Sequence, residues 1–363
     1  MDYLFLINPA AGSGLGKRVA DELENGQYNT GLSIQTVFTD PKRIEAQVIS
    51  LTGGKKLVVI GGGDGTVSTI TGILTKLVNP PPFAILPLGT GNDIARGLGW
   101  WDIWNTGGLP LFFTALANGK VEPIDIWSSG GDDTFLGYMG LGLDASIVHS
   151  FYKMRKYFGG HIKPGVRQNK LFYLCAGLKN IIKNIMKGAT PEIDISITNS
   201  RNLIESFTLK GNFTFIIANI EYYAGGGRLS QNADCSDGLL EIYRLDDMGA
   251  YLKFLAKGRI SPFSGQLISD KAKIIDILVK KPVPIQIDGE WSDEKRQGKS
   301  IRIELLGAIP ALLPPEDFFA RARLEKLYSH EHFFKKRTVS AVPRPATIKR
   351  EKNRPVKNSL TNE

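Results

Sequence analysis

The stretch Gly61-Gly62-Gly63-Asp64-Gly65-Thr66-Val67 decides the reading of this 363-residue chain. It follows Leu57-Val58-Val59-Ile60, a β-branched run that predicts a buried strand. It leads into Ser68-Thr69-Ile70-Thr71-Gly72-Ile73-Leu74, whose apolar residues recur at helical spacing. A strand that ends in three glycines and enters a helix suits an anion. Glycine lets backbone N–H groups come close, and the helix N-terminus adds its positive end. Asp64 is the odd member, because a carboxylate is repelled by phosphate. It fits only if a cation stands between the two or if the carboxylate handles a proton. The plain alternative is a tight turn with Asp64 as a helix cap.

Two further loops share this character. Asn8-Pro9-Ala10-Ala11-Gly12-Ser13-Gly14 joins an apolar strand to a helix through small residues rich in N–H groups. Leu88-Gly89-Thr90-Gly91-Asn92-Asp93 repeats the order of strand, glycines, hydroxyl, amide, carboxylate and helix. Neither standard nucleotide signature applies. A Walker A loop ending at Lys17 would need glycine at Ala11 and Ser or Thr at Arg18, and a Rossmann fingerprint would need glycine at Thr66. Three such loops on one sheet edge nevertheless describe a polyphosphate site. Asp64 and Asp93 supply acidic groups suited to Mg²⁺, which takes few carboxylates and shares itself with substrate phosphates.

Working outward, strand and helix signals alternate through the first 122 residues. Strands are expected at Tyr3–Ile7, Leu32–Phe38, Leu57–Ile60 and Phe83–Leu88. Helices are expected at Leu15–Glu24, Pro41–Leu51 (opened by Thr39-Asp40-Pro41), Asp93–Leu98 and Leu109–Asn118. Repeated βα units imply a doubly wound parallel sheet that binds ligands at its carboxyl edge. From about 123 to 299 strand-like runs dominate and predict a mostly antiparallel β domain. Its runs include Glu122–Trp127, Thr134–Met139, Glu192–Thr198, Ile204–Leu209, Asn212–Ile220, Leu239–Arg244, Lys273–Val279 and Val283–Ile287. A helical, basic and aromatic insert is expected over Ser146–Lys187, and Ser300–Leu306 opens a segment, 300–325, that returns to the first domain.

Hydrophobic content of 42% with 22% charged residues supplies ample core, which excludes a disordered or fibrous chain. Cys175 and Cys235 have no CxxC or metal spacing and read as reduced thiols of a cytosolic protein. Met1–Pro9 lacks a basic n-region and reads as a first strand, not a signal peptide. No apolar run approaches the ~20 residues needed to span a bilayer. From His330 onward nine Lys/Arg face three Glu, so the tail holds +6 of the net +9. Residues 329–363 read as a disordered basic tail that meets anionic lipid, and no recognition motif for nucleic acid accompanies the charge.

The pair GGGDGTV and PLGTGND (Pro87–Asp93) resembles the catalytic domain of the diacylglycerol and sphingosine kinases. GGDGT alone is shared with NAD kinases and the wider phosphofructokinase-like fold. Residues 87–100, PLGTGNDIARGLGW, look especially like eukaryotic-type diacylglycerol kinases, down to Arg96 and Trp100. Residues 139–155, 169–174, Asn219–Gly227, Asp237–Glu241 and Ile287–Trp291 are similar to the accessory domain, so the resemblance covers about 2–315.

The resemblance implies an ATP- and Mg²⁺-dependent kinase of a lipid alcohol, with diacylglycerol giving phosphatidic acid. The alternatives are a sphingoid, ceramide or other lipid-alcohol kinase and a catalytically silent lipid-binding regulator on the same fold. ATP is expected at Asn8, Pro9, Ala10, Ala11 and Gly12, at Gly62 through Ser68 (Gly63, Asp64, Gly65, Thr66 and Val67 between them), and at Gly89, Thr90, Gly91, Asn92 and Asp93. Thr39 is implied as a further nucleotide contact. Glu290 of the Asp288-Gly289-Glu290 motif is implied as the proton acceptor, with Asp64 organising phosphate and metal; other members give Asp64 the base role. Asp237 and the Leu239 carbonyl match a structural Mg²⁺ loop, although Gln231 replaces the proline that usually precedes it. The expected setting is cytoplasmic with peripheral membrane association, and a homodimer is compatible with the resemblance.

Overall fold

The computed structural model describes residues 3–25, 33–131, 133–157, 191–229, 233–247, 249–251, 253, 271–292 and 300–315. The chain opens with β1 (Tyr3–Ile7), α1 (Leu15–Glu24), β2 (Ile34–Phe38), α2 (Ile44–Thr52), β3 (Leu57–Gly62), α3 (Asp64–Leu74) and β4 (Phe83–Pro87). Helices α4 (Asp93–Gly97) and α5 (Trp100–Asn118) complete this α/β part. The strands lie parallel in the order β2-β1-β3-β4. Val58, Val59 and Ile60 are fully buried, as an apolar run covered on both faces must be. Removing any one of these side chains costs about 2 kcal/mol or more.

The second part is mostly antiparallel. It comprises β5 (Lys120–Ser128), β6 (Thr134–Phe135), β7 (Tyr138–Gly142), α6 (Leu143–Tyr157), β8 (Glu192–Asn199), β9 (Ile204–Lys210) and β10 (Thr214–Ala218). The hairpin β11 (Tyr222–Tyr223) and β12 (Gly227–Arg228) follows, then β13 (Glu241–Leu245), β14 (Ala272–Lys281), β15 (Ile285–Ile287), β16 (Glu290–Trp291) and β17 (Ser300–Leu313). One sheet runs β13-β10-β7-β15-β16 and faces the strands β17, β14 and β8. Ile193, Ile195 and Ile197 of β8 point into this second core while Asp194 and Ser196 turn outward, the period of two expected of a half-buried strand.

β17 joins the two parts. It pairs parallel with β4 at Ala311 and Phe83, antiparallel with β5 over most of its length, and antiparallel with β14 from Ser300 to Glu304.

Four local expectations need correction. Helix α2 starts at Ile44, not Pro41, because Asp40 spends its carboxylate on a turn: Oδ1 accepts the Lys42 N–H at 3.0 Å and Oδ2 meets Arg43 Nε at 2.9 Å. Helix α5 begins at Trp100 and is interrupted at Gly108, whose φ of 57° only glycine adopts freely. The single run Thr134–Met139 divides into β6 and β7, since the N–H groups of Leu136, Gly137 and Tyr138 all turn to Asp288. Helix α6 starts at Leu143, ahead of Ser146, and the rest of the expected insert lies outside the described residues. So do the tail 329–363 and the return segment beyond 315.

Candidate active site

Strands β1, β3 and β4 end side by side, so the glycine loops that follow them meet at one edge. Their contact leaves no room for side chains. A Cβ on Gly89 would stand 2.4 Å from the Gly63 Cα, and one on Gly12 would stand 2.5 Å from the Leu88 carbonyl oxygen. Asn8 ties the first loop to the second. Its Nδ2 donates to Thr66 Oγ1 at 3.0 Å, and its Oδ1 accepts the Ala10 N–H at 3.0 Å. Thr39 stands buried at the end of β2 on the same edge, its N–H donated to the Ile7 carbonyl at 2.9 Å. Helix α3 opens at this junction; the Thr66 and Val67 N–H groups bond the Gly63 carbonyl at 3.0 and 3.1 Å, which leaves the N–H groups of Asp64 and Gly65 without an intrahelical acceptor. An anion is the natural occupant.

Asp64 is the first residue of α3, but it does not cap that helix. Its Oδ1 accepts the Ile94 N–H at 2.9 Å, at the start of α4. Burial first, and then the Asp93 carboxylate, push its pKa up to about 7. Asn92 closes the third loop from a left-handed backbone (φ 57°), its Oδ1 accepting the Gly89 N–H at 3.0 Å and its Nδ2 donating to the Gly89 carbonyl at 2.8 Å. Thr90 is exposed at the loop tip, and Gly91 packs against Asp64, where a Cβ would stand 2.9 Å from Oδ2.

Three of the expected cradle residues turn elsewhere. Asp93 Oδ2 accepts the Tyr138 hydroxyl at 3.2 Å and the Gly225 N–H at 2.9 Å, which binds α4 to the second part of the molecule. The Arg96 guanidinium, 4.0 Å from Asp93, lies over the Trp101 ring. Val67 is buried in the core. Ser68 donates its hydroxyl to Asp288 Oδ2 at 2.6 Å instead of presenting it at the loop tip.

Glu290 arrives from β16, some 225 residues downstream of the loop it faces. It is exposed and lies over Gly65, where a Cβ would stand 2.9 Å from Glu290 Cγ and 3.0 Å from its Oε1. Asp288, named in the sequence only as part of the Asp288-Gly289-Glu290 motif, has a role here that the sequence did not reveal. Asp288 accepts four donors: the Ser68 hydroxyl and the N–H groups of Leu136, Gly137 and Tyr138, at 2.6 to 3.1 Å. No spacing or composition signals such a clamp, since its donors lie 150 or more residues away.

The two expected metal positions differ. Among the described residues no group of three His, Cys, Asp or Glu is placed to hold a metal ion. At Asp64 one carboxylate, whose ionisation is opposed by burial and by the neighbouring Asp93 carboxylate, fits a cation that shares itself with phosphate and would favour the charged form. At Asp237 the residues do not fit. Asp237 Oδ1 accepts the Leu239 N–H at 3.0 Å, and its Oδ2 meets the Lys271 ammonium at 2.5 Å. Lys271 also lies 3.0 Å from Glu241 Oε1, and burial pushes the Glu241 carboxyl up to about 7. The ammonium thus engages the Asp237 carboxylate that the resemblance assigned to Mg²⁺.

The comparisons agree with this architecture. A model of the diacylglycerol kinase catalytic domain matches residues 2–129, and one of the diacylglycerol kinase accessory domain matches residues 134–291. Diacylglycerol kinase 2 of Arabidopsis thaliana is 29% identical over 264 residues, 64% of this chain and 35% of its own length. Diacylglycerol kinase zeta of Homo sapiens is 26% identical over 260 residues, 63% of this chain and 27% of its own. The chain thus matches about a third of the length of these curated relatives. A crystal structure of a diacylglycerol kinase from Bacillus anthracis str. Sterne superposes with a TM-score of 0.59 at 21% identity, covering 86% of this chain and 97% of that one, and shows the shared fold.

Proposed function

Because the chain belongs to the diacylglycerol kinase family, with its catalytic and accessory domains in succession, we propose that it transfers the γ-phosphate of ATP to the hydroxyl of diacylglycerol. The observation that carries this reading is the position of Glu290 over Gly65, at the open N-terminus of α3. Residues 1–122 with the returning strand supply the nucleotide side. Residues 123–299 supply the wall that presents the lipid.

The three loops hold the triphosphate through backbone N–H groups, and Asn8 keeps the first loop in register with Thr66. Mg²⁺, if bound, would be held by Asp64 and would supply neutralisation of phosphate charge. Asp64 also fixes the start of α4 by accepting the Ile94 N–H. Phosphoryl transfer passes through a loose transition state, so positioning and charge neutralisation supply most of the acceleration and the alcohol proton leaves late. Glu290, exposed beside the loop, accepts that proton.

A kinase for a bilayer lipid must also reach its surface. Among the described residues no helix is long and apolar enough to cross a membrane. Adsorption through the basic tail is therefore part of this proposal, at about 1 kcal/mol per basic residue near anionic lipid. Deletion of residues 330–363 should weaken sedimentation with anionic vesicles, and unchanged sedimentation removes the tail from the account. A sizing measurement of the purified chain decides whether it acts as a homodimer.

The deciding experiment offers labelled ATP and a panel of lipid alcohols in mixed micelles. Labelled phosphatidic acid is the expected product. A labelled sphingoid or ceramide phosphate moves the substrate within the class, and labelled NAD or no product sinks the proposal.

A further inference from the structure

We infer that His149 is a positioning residue for Glu290, acting through Trp291. This inference rests on the reading of Glu290 given above. The imidazole of His149, on α6, stacks on the Trp291 ring with centroids 3.8 Å apart and planes 8° from parallel. Trp291 directly follows Glu290, so the stack holds the residue next to the reacting carboxylate.

The need for such a hold follows from β16. It has two residues, lies at the end of its sheet, and pairs with β15 only through Gln286–Trp291 and Ile287–Glu290. A strand this short does not fix the direction of an exposed side chain by its ladder alone. Helix α6 supplies a second grip on the same turn. Asp144 Oδ2 accepts from Gln286 Nε2 at 3.0 Å, and Gln286 Oε1 accepts the Gly289 N–H at 2.8 Å. One end of α6 thus fixes the turn before Glu290, and His149, five residues on, fixes the ring after it. Flat stacking needs an aromatic face and no proton. The role is therefore one that phenylalanine could fill and alanine could not.

The test compares His149→Ala, His149→Phe, Trp291→Leu and Glu290→Gln in the full chain, with melting temperatures recorded for each. His149→Ala should lower kcat about ten- to a hundredfold through misplacement of the carboxylate while KM for ATP stays within about twofold. Trp291→Leu should reproduce that loss from the other ring, and His149→Phe should restore most of the rate. In the Glu290→Gln background His149→Ala should add nothing, because the group it positions is gone. Wild-type kcat in His149→Ala, a His149→Phe variant as slow as the alanine one, or losses that multiply with Glu290→Gln would each overturn the inference. Full turnover by Glu290→Gln alone is a different result: it refutes the base assignment itself.

Discussion

The carboxylate of Asp288 accepts the hydroxyl of Ser68 at 2.6 Å across 220 residues of chain. Ser68 lies one turn into α3, the helix whose N-terminus is proposed to face phosphate, and Asp288 lies two residues before Glu290. One hydrogen bond therefore registers the nucleotide side against the proposed base. Asp288→Asn should destabilise the chain by about 2–4 kcal/mol, since one amide oxygen cannot satisfy four buried donors. Ser68→Ala should cost about 1 kcal/mol. Urea unfolding measures both. The loss of kcat should exceed what the unfolded fraction explains, because Glu290 loses its register as well.

Two glycines separate binding from catalysis. Gly65→Ala places a Cβ against the side chain of Glu290, which must swing away. The helix itself should gain about 0.5–1 kcal/mol from the substitution. A more stable protein with lower kcat and little change in KM for ATP is the expected outcome. Gly89→Ala instead drives a Cβ into the backbone of Gly63 and should abolish nucleotide binding, which calorimetry with ATP reports directly.

Asp64 carries a pH signature. Folding raises its pKa from the ordinary 3.8 to about 7. The folded state therefore binds more protons than the unfolded state between those values, and stability falls as pH rises through that window. Below about pH 4 both states are protonated and the effect vanishes. Asp64→Asn should be more stable than the parent at pH 8, by less than the ~4 kcal/mol of a dry site because the residue keeps some solvent contact. The gain should disappear by about pH 4 in a series of thermal melts. The same variant should lose most of its kcat, which marks Asp64 as a residue kept at the expense of stability.

Lys271 should behave as a tethered cation. Chelators should leave the stability of the parent chain unchanged at the Asp237–Glu241 loop. Since Lys271 and Asp237 are partly exposed and solvent screens the pair, while Glu241 is buried, Lys271→Met should cost about 1 kcal/mol. It should also make the melting temperature rise with added Mg²⁺ or Ca²⁺, as a divalent ion takes the vacated place. A variant indifferent to both ions would show that the loop needs no positive charge.

What the sequence made legible follows from the range of the interactions. The four parallel strands and α1 were readable because a buried β-branched run and a helical stripe are local patterns. The glycine loops were readable because a tight turn demands glycine at its own position. The first half of α5 was not, since Trp100–Thr106 carries no stripe and Gly107-Gly108 looks like a terminus. The length of β17 was hidden by Gly307 and Pro310, which interrupt its alternation. Asp93 was assigned to phosphate by its neighbours in sequence, whereas Tyr138 and Gly225, 45 and 132 residues away, claim it in space. Lys271 was passed over for the same reason, being 34 residues from Asp237.

β17 has a consequence for how such chains can be taken apart or recombined. Its fourteen residues pair with β4, β5 and β14, so the last strand of the second part also completes the first. A fragment ending before Ser300 would expose the open edges of β4 and β5, which invite association with other chains. The two lobes are therefore not interchangeable cassettes. An accessory domain grafted from a relative folds here only if its own returning strand is left behind and Ser300–Leu313 is kept, or if the whole pair is exchanged together.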